Sequence, residues 1–89
     1  MSRYSFQLMS KVTGIPVYRL EERRRQKGMT WERDYDLDGV RQILGDAQLV
    51  PRESINPGAH RALELWDALN GGDEGSYNGS KAGNSKRNG

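Results

Sequence analysis

Cationic side chains are concentrated between positions 16 and 27 of this 89-residue chain. The stretch PVYRLEERRRQK contains five of them, Arg19, Arg23, Arg24, Arg25 and Lys27. An arginine guanidinium presents a planar fork of N–H donors that pairs with phosphate or with the edge of a guanine base. The stretch is therefore the first candidate for chemistry in this chain, and that chemistry is the binding of an anion.

Catalysis is not indicated elsewhere in the sequence. The chain has one histidine, His60, which we expect on a helix surface, and it has no cysteine, which excludes disulfides and thiolate metal sites. We find neither a nucleophile beside a base nor a glycine-rich phosphate loop. We therefore expect no enzymatic activity, no cofactor and no bound metal.

The charges are distributed unevenly along the chain. Residues 1–33 contain eight basic and three acidic residues, whereas residues 34–70 contain three basic and seven acidic residues. A basic part beside an acidic part fits a polyanion that binds to one face only. A solvated basic helix with no partner would give the same composition, so charge by itself leaves both interpretations open.

The first helix is predicted to begin near Ser5 or Gln7 and to end at Thr13. Ser5 can cap it, and Phe6 and Met9, followed by Val12 or Thr13, recur at helical spacing. Gly14 follows, where a helix commonly ends in the left-handed conformation. Residues 1–3 are expected to be frayed.

Pro16 marks the start of a second helix, from about position 16 to position 27. Proline is tolerated in the first turn of a helix, and Gly28 is placed to end this one. Val17, Leu20 and the stem of Arg24 are expected to face inward. Helical spacing places three cations on one exposed face, namely Arg19, Arg23 and Lys27.

Residues 29–35 are predicted to form either a short two-stranded wing or a loop. Trp31 is expected to pack and anchor this segment, with base stacking as the alternative. Asp36 then caps a third helix, in which Gly39 costs about 1 kcal/mol relative to alanine.

A fourth helix is predicted from Asn56-Pro57 to about Asn70. Its apolar stripe consists of Ala59, Ala62, Leu63, Trp66 and Leu69. Trp66 is expected in the core, with a dimer contact as the alternative for the stripe. Residues 71–89 are rich in Gly, Ser and Asn and are predicted to be disordered, so residues 1–70 form the only domain.

Short motifs in a fixed order link residues 4–37 to a known family. They are Thr13-Gly14, the run Ile15-Pro16-Val17-Tyr18-Arg19-Leu20, then Lys27-Gly28-Met29, and finally Arg33-Asp34-Tyr35 with Asp36-Leu37. In these motifs the chain resembles the winged helix-turn-helix of the MerR and excisionase superfamily. It departs from the pattern in a second helix longer by one residue, in a shorter wing, and in Glu21-Glu22-Arg23 where Arg-Tyr-Tyr is common.

The resemblance implies a mainly α, small winged helix-turn-helix of about four helices with a short wing. Its second helix would enter the major groove of DNA and its wing would contact the backbone or the minor groove. Arg19 and Arg23 are then expected to contact base edges, and Tyr18 and the start of the second helix to lie close to them. The full set of expected DNA-binding residues is Lys11, Pro16, Val17, Tyr18, Arg19, Arg23, Arg24, Arg25, Lys27, Trp31 and Arg33.

The sequence therefore predicts a duplex DNA-binding protein of a phage or prophage, acting as a transcriptional regulator or as an excisionase-type architectural factor. No long coiled-coil helix or effector domain follows the motifs, which argues against an effector-sensing regulator. One alternative is a protein-interaction module whose basic helix binds a host or phage protein, and another is DNA recognition in packaging, as in small terminase subunits. We expect a cytoplasmic, nucleoid-associated protein with no membrane segment, which forms a homodimer or assembles cooperatively through helix 57–70.

Overall fold

The computed structural model describes residues 2–71, and the tail predicted to be disordered lies, apart from Gly71, outside this part of the chain. Within residues 2–71 the fold is mainly α, with four α-helices and a two-stranded antiparallel sheet. None of these helices is long and apolar enough to cross a membrane. In chain order the elements are β1 (Tyr4–Ser5), α1 (Phe6–Thr13), α2 (Val17–Gln26), β2 (Asp34–Tyr35), α3 (Leu37–Leu44), a 3₁₀ helix (Arg52–Ser54) and α4 (His60–Leu69).

Both predicted ends of α1 are confirmed. The Ser5 hydroxyl accepts a hydrogen bond from the Leu8 N–H at 3.3 Å and so caps the first turn. Gly14 has a φ of 76°, and its N–H bonds to the Ser10 carbonyl at 2.7 Å. A residue in the left-handed conformation turns the chain sharply, which allows α2 to begin at Val17, three residues after Gly14.

Helix α2 begins immediately after Pro16, as its sequence predicts. The Pro16 carbonyl accepts the first two backbone hydrogen bonds of the helix, from Arg19 at 3.0 Å and from Leu20 at 3.1 Å. Pro16 itself is extended, with φ −60° and ψ 150°, and therefore occupies the capping position. Gly28 follows the helix with a φ of 69°, which confirms the predicted stop.

The sheet joins the N-terminus to the segment predicted as a wing. Tyr4 pairs with Tyr35 and Ser5 pairs with Asp34, so β2 finds its partner before α1 and not within residues 29–33. The expectation that residues 1–3 are frayed is wrong for Arg3. Its guanidinium bonds to the Asp34 carboxylate at 2.7 Å, because strand pairing brings the N-terminus beside β2.

The third helix starts as predicted, whereas the fourth starts later. The Asp36 carboxylate accepts a hydrogen bond from the Gly39 N–H at 2.9 Å, which caps α3. At the predicted start of α4 the Asn56 side chain accepts from the Gly58 N–H at 2.8 Å and closes a local turn. The helix begins only at His60, because this side-chain bond competes with helical pairing.

All four helices and both strands contribute to one apolar core. Its largest fully buried side chains are Met9, Val12, Leu20, Val40, Ile43 and Leu65. Leu65 was absent from the predicted stripe, of which Ala62 is buried and the other members lie partly buried at the edge of the core. Trp66 packs against the core as expected, and its indole N–H bonds to the Val50 carbonyl at 2.7 Å.

Substitution of Gly39 by alanine is expected to destabilise the protein by about 1–2 kcal/mol. A Cβ at this position would lie 3.0 Å from the Tyr35 Cβ and 3.2 Å from its Cδ2. Overpacking typically costs about 1–3 kcal/mol, which exceeds the gain of about 1 kcal/mol in helix propensity. Urea unfolding measures the difference, with Gln42→Ala, an exposed position on the same helix, as the control. A Gly39→Ala variant as stable as the wild type would contradict this packing.

Candidate nucleic-acid interface

Helix α2 has one face in the core and the opposite face in solvent. Leu20 is fully buried and Val17 packs partly against the core, which fixes the rotation of the helix. Tyr18, in contrast, is 71% exposed. The other exposed residues of the segment are Arg19, Glu22, Arg25, Gln26 and Lys27. The helix and its C-cap therefore present a tyrosine, three cations, one glutamine and one glutamate to solvent.

Two of the predicted DNA-binding arginines are half-buried. Arg23 Nη1 donates a hydrogen bond to the Leu44 carbonyl, the last of α3, at 2.9 Å. Arg24 Nη1 donates to the Met29 carbonyl at 2.7 Å, and its Nε is buried without a hydrogen-bond partner. Arg23 therefore does not share the exposure of Arg19 and Lys27, because the end of α3 attracts its guanidinium.

Within residues 2–71, most cations outside α2 are paired with carboxylates, whereas those of α2 are not. Ion pairs within residues 2–71 involve Arg3, Arg33, Arg52 and Arg61. Neither Lys11 nor any cation of residues 17–27 forms an ion pair with a described carboxylate. Glu21 and Glu22 of the same helix likewise form no ion pair with a described cation. The positive charge of α2 is therefore available to an external anion.

The N-terminus of α2 adds backbone donors to this surface. Pro16 offers no side-chain cap, and within residues 2–71 we find no hydrogen-bond partner for the N–H of Val17 or Tyr18. A shallow depression at the same end of the helix is lined by Gln7, Ser10, Lys11 and Val17. Free N–H groups at a helix N-terminus beside a lysine can bind a phosphate.

The loop after α2, residues 29–33, is attached to the fold while its larger side chains point outward. Trp31 is 54% exposed, so the expectation that it packs to anchor the wing is wrong. The anchor is Tyr35, whose hydroxyl donates to the Thr30 carbonyl at 3.0 Å and accepts from the Glu32 N–H at 2.8 Å. Because Tyr35 is buried, it attaches the loop to the core, whereas the indole of Trp31 stays exposed to solvent.

A mixed, largely acidic cleft lies on another side of this loop. Its polar lining includes Arg3, Thr30, Glu32, Asp36 and Asp38. Arg3 bonds to the carboxylates of Glu32 and Asp34, each at 2.7 Å, and its hydrogen bond lowers the pKa of the Asp34 carboxyl. The same pairing raises the pKa of Arg3. Because this cleft contains two more carboxylates, a polyanion is favoured on the α2 surface and disfavoured here.

A second polar cluster connects α4 to the N-terminus. The Tyr4 hydroxyl donates to the Glu64 carboxylate at 2.8 Å, which lowers the pKa of Glu64, while burial raises the pKa of Tyr4. Arg61 bonds to Glu64 at 3.0 Å and lies 5.0 Å from the centre of the Tyr4 ring. Its guanidinium also donates to the Arg3 carbonyl. Sequence reasoning missed Arg3, Tyr4 and this cluster, since their partners lie 29 or more positions away.

No family model, curated protein or solved structure matches the chain, so the role of this surface is argued from its geometry. Among residues 2–71, no group of three or more His, Cys, Asp or Glu side chains is arranged to hold a metal ion. The candidate interface therefore consists of the exposed face of α2 with the start of that helix, Lys11 and the outward side of the loop 29–33.

Arg19 and Arg23 are expected to differ in their effect on stability. Arg23→Ala removes a hydrogen bond to the end of α3 and should destabilise the fold by about 1 kcal/mol. Arg19→Ala, which loses the same side chain from an exposed position without a described partner, should change stability by less than about 0.5 kcal/mol. Parallel urea titrations measure both. Equal effects would show that the contact with Leu44 does not stabilise the protein.

Stability is expected to fall in acid in part through Asp34. Its folded pKa lies below the ordinary value of 3.8, so it stabilises the fold above about pH 4 and loses this effect as the pH drops further. Asp34→Asn should therefore be less stable than the wild type at neutral pH, and the gap should narrow toward pH 3. Unfolding curves at several pH values measure this, with Asp46→Asn, an exposed position, as the control. A gap that is independent of pH would contradict the role of the Arg3 pair.

Proposed function

We propose that residues 2–71 form a winged helix-turn-helix that binds duplex DNA through α2 and the loop 29–33, in the manner of the MerR and excisionase superfamily. The biological role we infer is regulation in a phage or prophage, either of transcription or of recombination as an architectural factor. The observation that carries the proposal is the exposed face of α2, whose cations have no ion pair among the described residues.

Two further features support DNA as the anion. The left-handed Gly14 joins α1 and α2 by a short turn, which is the arrangement of the helix-turn-helix motif. The N-terminus of α2 combines unpaired N–H groups with Lys11 and the exposed ring of Tyr18. In helix-turn-helix proteins this end of the second helix contacts base edges. Here it would place hydrogen-bond donors beside both the DNA phosphates and the bases.

The proposed roles of the side chains follow from their exposure. Arg19 reads a base edge in the major groove, with Pro16, Val17 and Tyr18 near it. Lys11, Arg25, Lys27 and Arg33 contact phosphates, which position the protein without specifying sequence. Arg23 and Arg24 hold α3 and the loop in place through Leu44 and Met29, so their contribution to DNA binding is positional.

One short helix and one loop provide few contacts, so a single copy would bind with modest affinity. The apolar residues of α4 pack against the core, with Ala62 and Leu65 fully buried. We therefore favour cooperative binding to repeated DNA sites over a dimer formed through that stripe.

The test is selection of sequences from a pool of random duplexes at two salt concentrations. The wild type should enrich a defined motif, and Arg19→Ala should relax it, because one good arginine–guanine pair discriminates by about 1–3 kcal/mol. Arg25→Ala should weaken binding to all sequences alike and reduce the log–log salt slope by about 0.9. Arg52→Ala, which removes the same charge from the 3₁₀ helix outside the candidate interface, is the matched control and should leave both properties unchanged.

The other outcomes distinguish the remaining roles. Salt-sensitive binding without an enriched motif would indicate an architectural or packaging protein. Absence of binding at low salt would reject DNA as the partner and favour the protein-interaction alternative, in which the basic helix binds an acidic protein surface. A complex recovered from cell extract after nuclease treatment, and lost in Arg19→Ala, would identify such a partner.

A further inference from the structure

Trp31 is a large apolar side chain held in solvent by a backbone that is fixed on both sides. The Tyr35 hydroxyl bonds to the Thr30 carbonyl before it and to the Glu32 N–H after it, at 3.0 and 2.8 Å. The preceding Met29 carbonyl accepts from Arg24 at 2.7 Å. Because the backbone is already ordered, placing the indole against a ligand costs little additional conformational entropy.

The indole of Trp31 does not line the acidic cleft. Thr30 and Glu32 both line that cleft, whereas Trp31 between them does not. Arg33, which follows, has a side chain that is 88% exposed. Trp31 is therefore not part of the cleft that contains the carboxylates of Asp36 and Asp38.

The acidic residues on either side of Arg33, Glu32 of the loop and Asp34 of β2, pair with a cation near the N-terminus. Arg3 bonds to Glu32 and Asp34 at 2.7 Å each, and Arg33 lies 3.5 Å from Asp34. The carboxylates of Glu32 and Asp34 are thus both paired with the Arg3 guanidinium, and Arg33 remains largely exposed. Because these carboxylates are paired, they repel an anionic ligand near the indole less than unpaired carboxylates would.

We propose that Trp31 stacks on a base of bound DNA, so that the protein prefers a duplex with an unstacked or easily unstacked step. This inference rests on the proposed function and specifies the form of DNA that the site takes. Every base has an aromatic face, and apolar wedges inserted beside a base step are a recurrent means of holding kinked DNA. The phosphates near the stacked base would contact Arg33 and the cations of α2.

The experiment uses the full chain and two short duplexes of one sequence, of which one has a single unpaired nucleotide at its centre. In a Trp66→Phe variant the emission reports on Trp31 only, since the chain has two tryptophans. We expect the emission to fall by about half or more on binding, as for an indole stacked on a base, and the bulged duplex to bind about tenfold tighter. Trp31→Ala in the wild-type background should lose this preference.

Controls separate stacking from other effects. Trp31→Phe keeps an aromatic face and should retain part of the preference for the bulged duplex. If Trp66→Phe does not fold, because the indole of Trp66 bonds to Val50, the difference in emission between the wild type and Trp31→Phe gives the same signal.

The results that overturn the inference differ from those that overturn DNA binding. If both duplexes bind equally, with unchanged Trp31 emission and with dependence on Arg19 and Arg25, stacking by Trp31 is rejected and DNA binding stands. If neither duplex binds at low salt, the proposed function fails and this inference fails with it.

Discussion

The fold depends on Tyr35 more than on any other side chain near the candidate interface. Its backbone pairs with Tyr4, and its ring packs edge-to-face on Phe6 with the ring centres 5.5 Å apart. Its hydroxyl bonds to the backbone on both sides of Trp31, and its Cβ lies close to Gly39 of α3, where an added Cβ would be 3.0 Å away. One buried phenol thereby fixes the N-terminus, α1, the loop and α3 relative to one another. The exposed surface of α2 and the loop can be rigid because this contact is satisfied.

Tertiary contacts separate the charged side chains that form ion pairs from the cations of α2. Carboxylates of the loop and of α4 are matched by arginines from distant positions, as in the contacts of Arg3 with Asp34 and of Arg52 with Asp67. The cations of α2 have no such matches within the described part of the chain. A nearly neutral protein can in this way present a cationic surface without a large net charge, which favours binding of an anion at one place.

The four arginines of α2 differ in their structural roles. Arg19 and Arg25 extend into solvent, Arg23 closes the end of α3 and Arg24 holds the loop at Met29. Helical spacing indicated that Leu20 and the stem of Arg24 face inward, and both are so placed. It also grouped Arg23 with Arg19 and Lys27, and here the tertiary structure differs, because Arg23 donates a hydrogen bond to the Leu44 carbonyl at the end of α3.

Local chemistry in the sequence determined the boundaries of three helices. Ser5, Gly14, Pro16, Gly28 and Asp36 act on neighbouring backbone groups, so their effect does not depend on the rest of the fold. Tertiary structure decided what lies far apart in the chain: the pairing of β1 with β2, the burial of Leu65 and the exposure of Trp31. Such outcomes depend on contacts between residues far apart in the sequence, as in the bonds of Trp66 with Val50, 16 positions away, and of Tyr4 with Glu64, 60 positions away. A periodic pattern within one segment does not specify which distant residues that segment will contact.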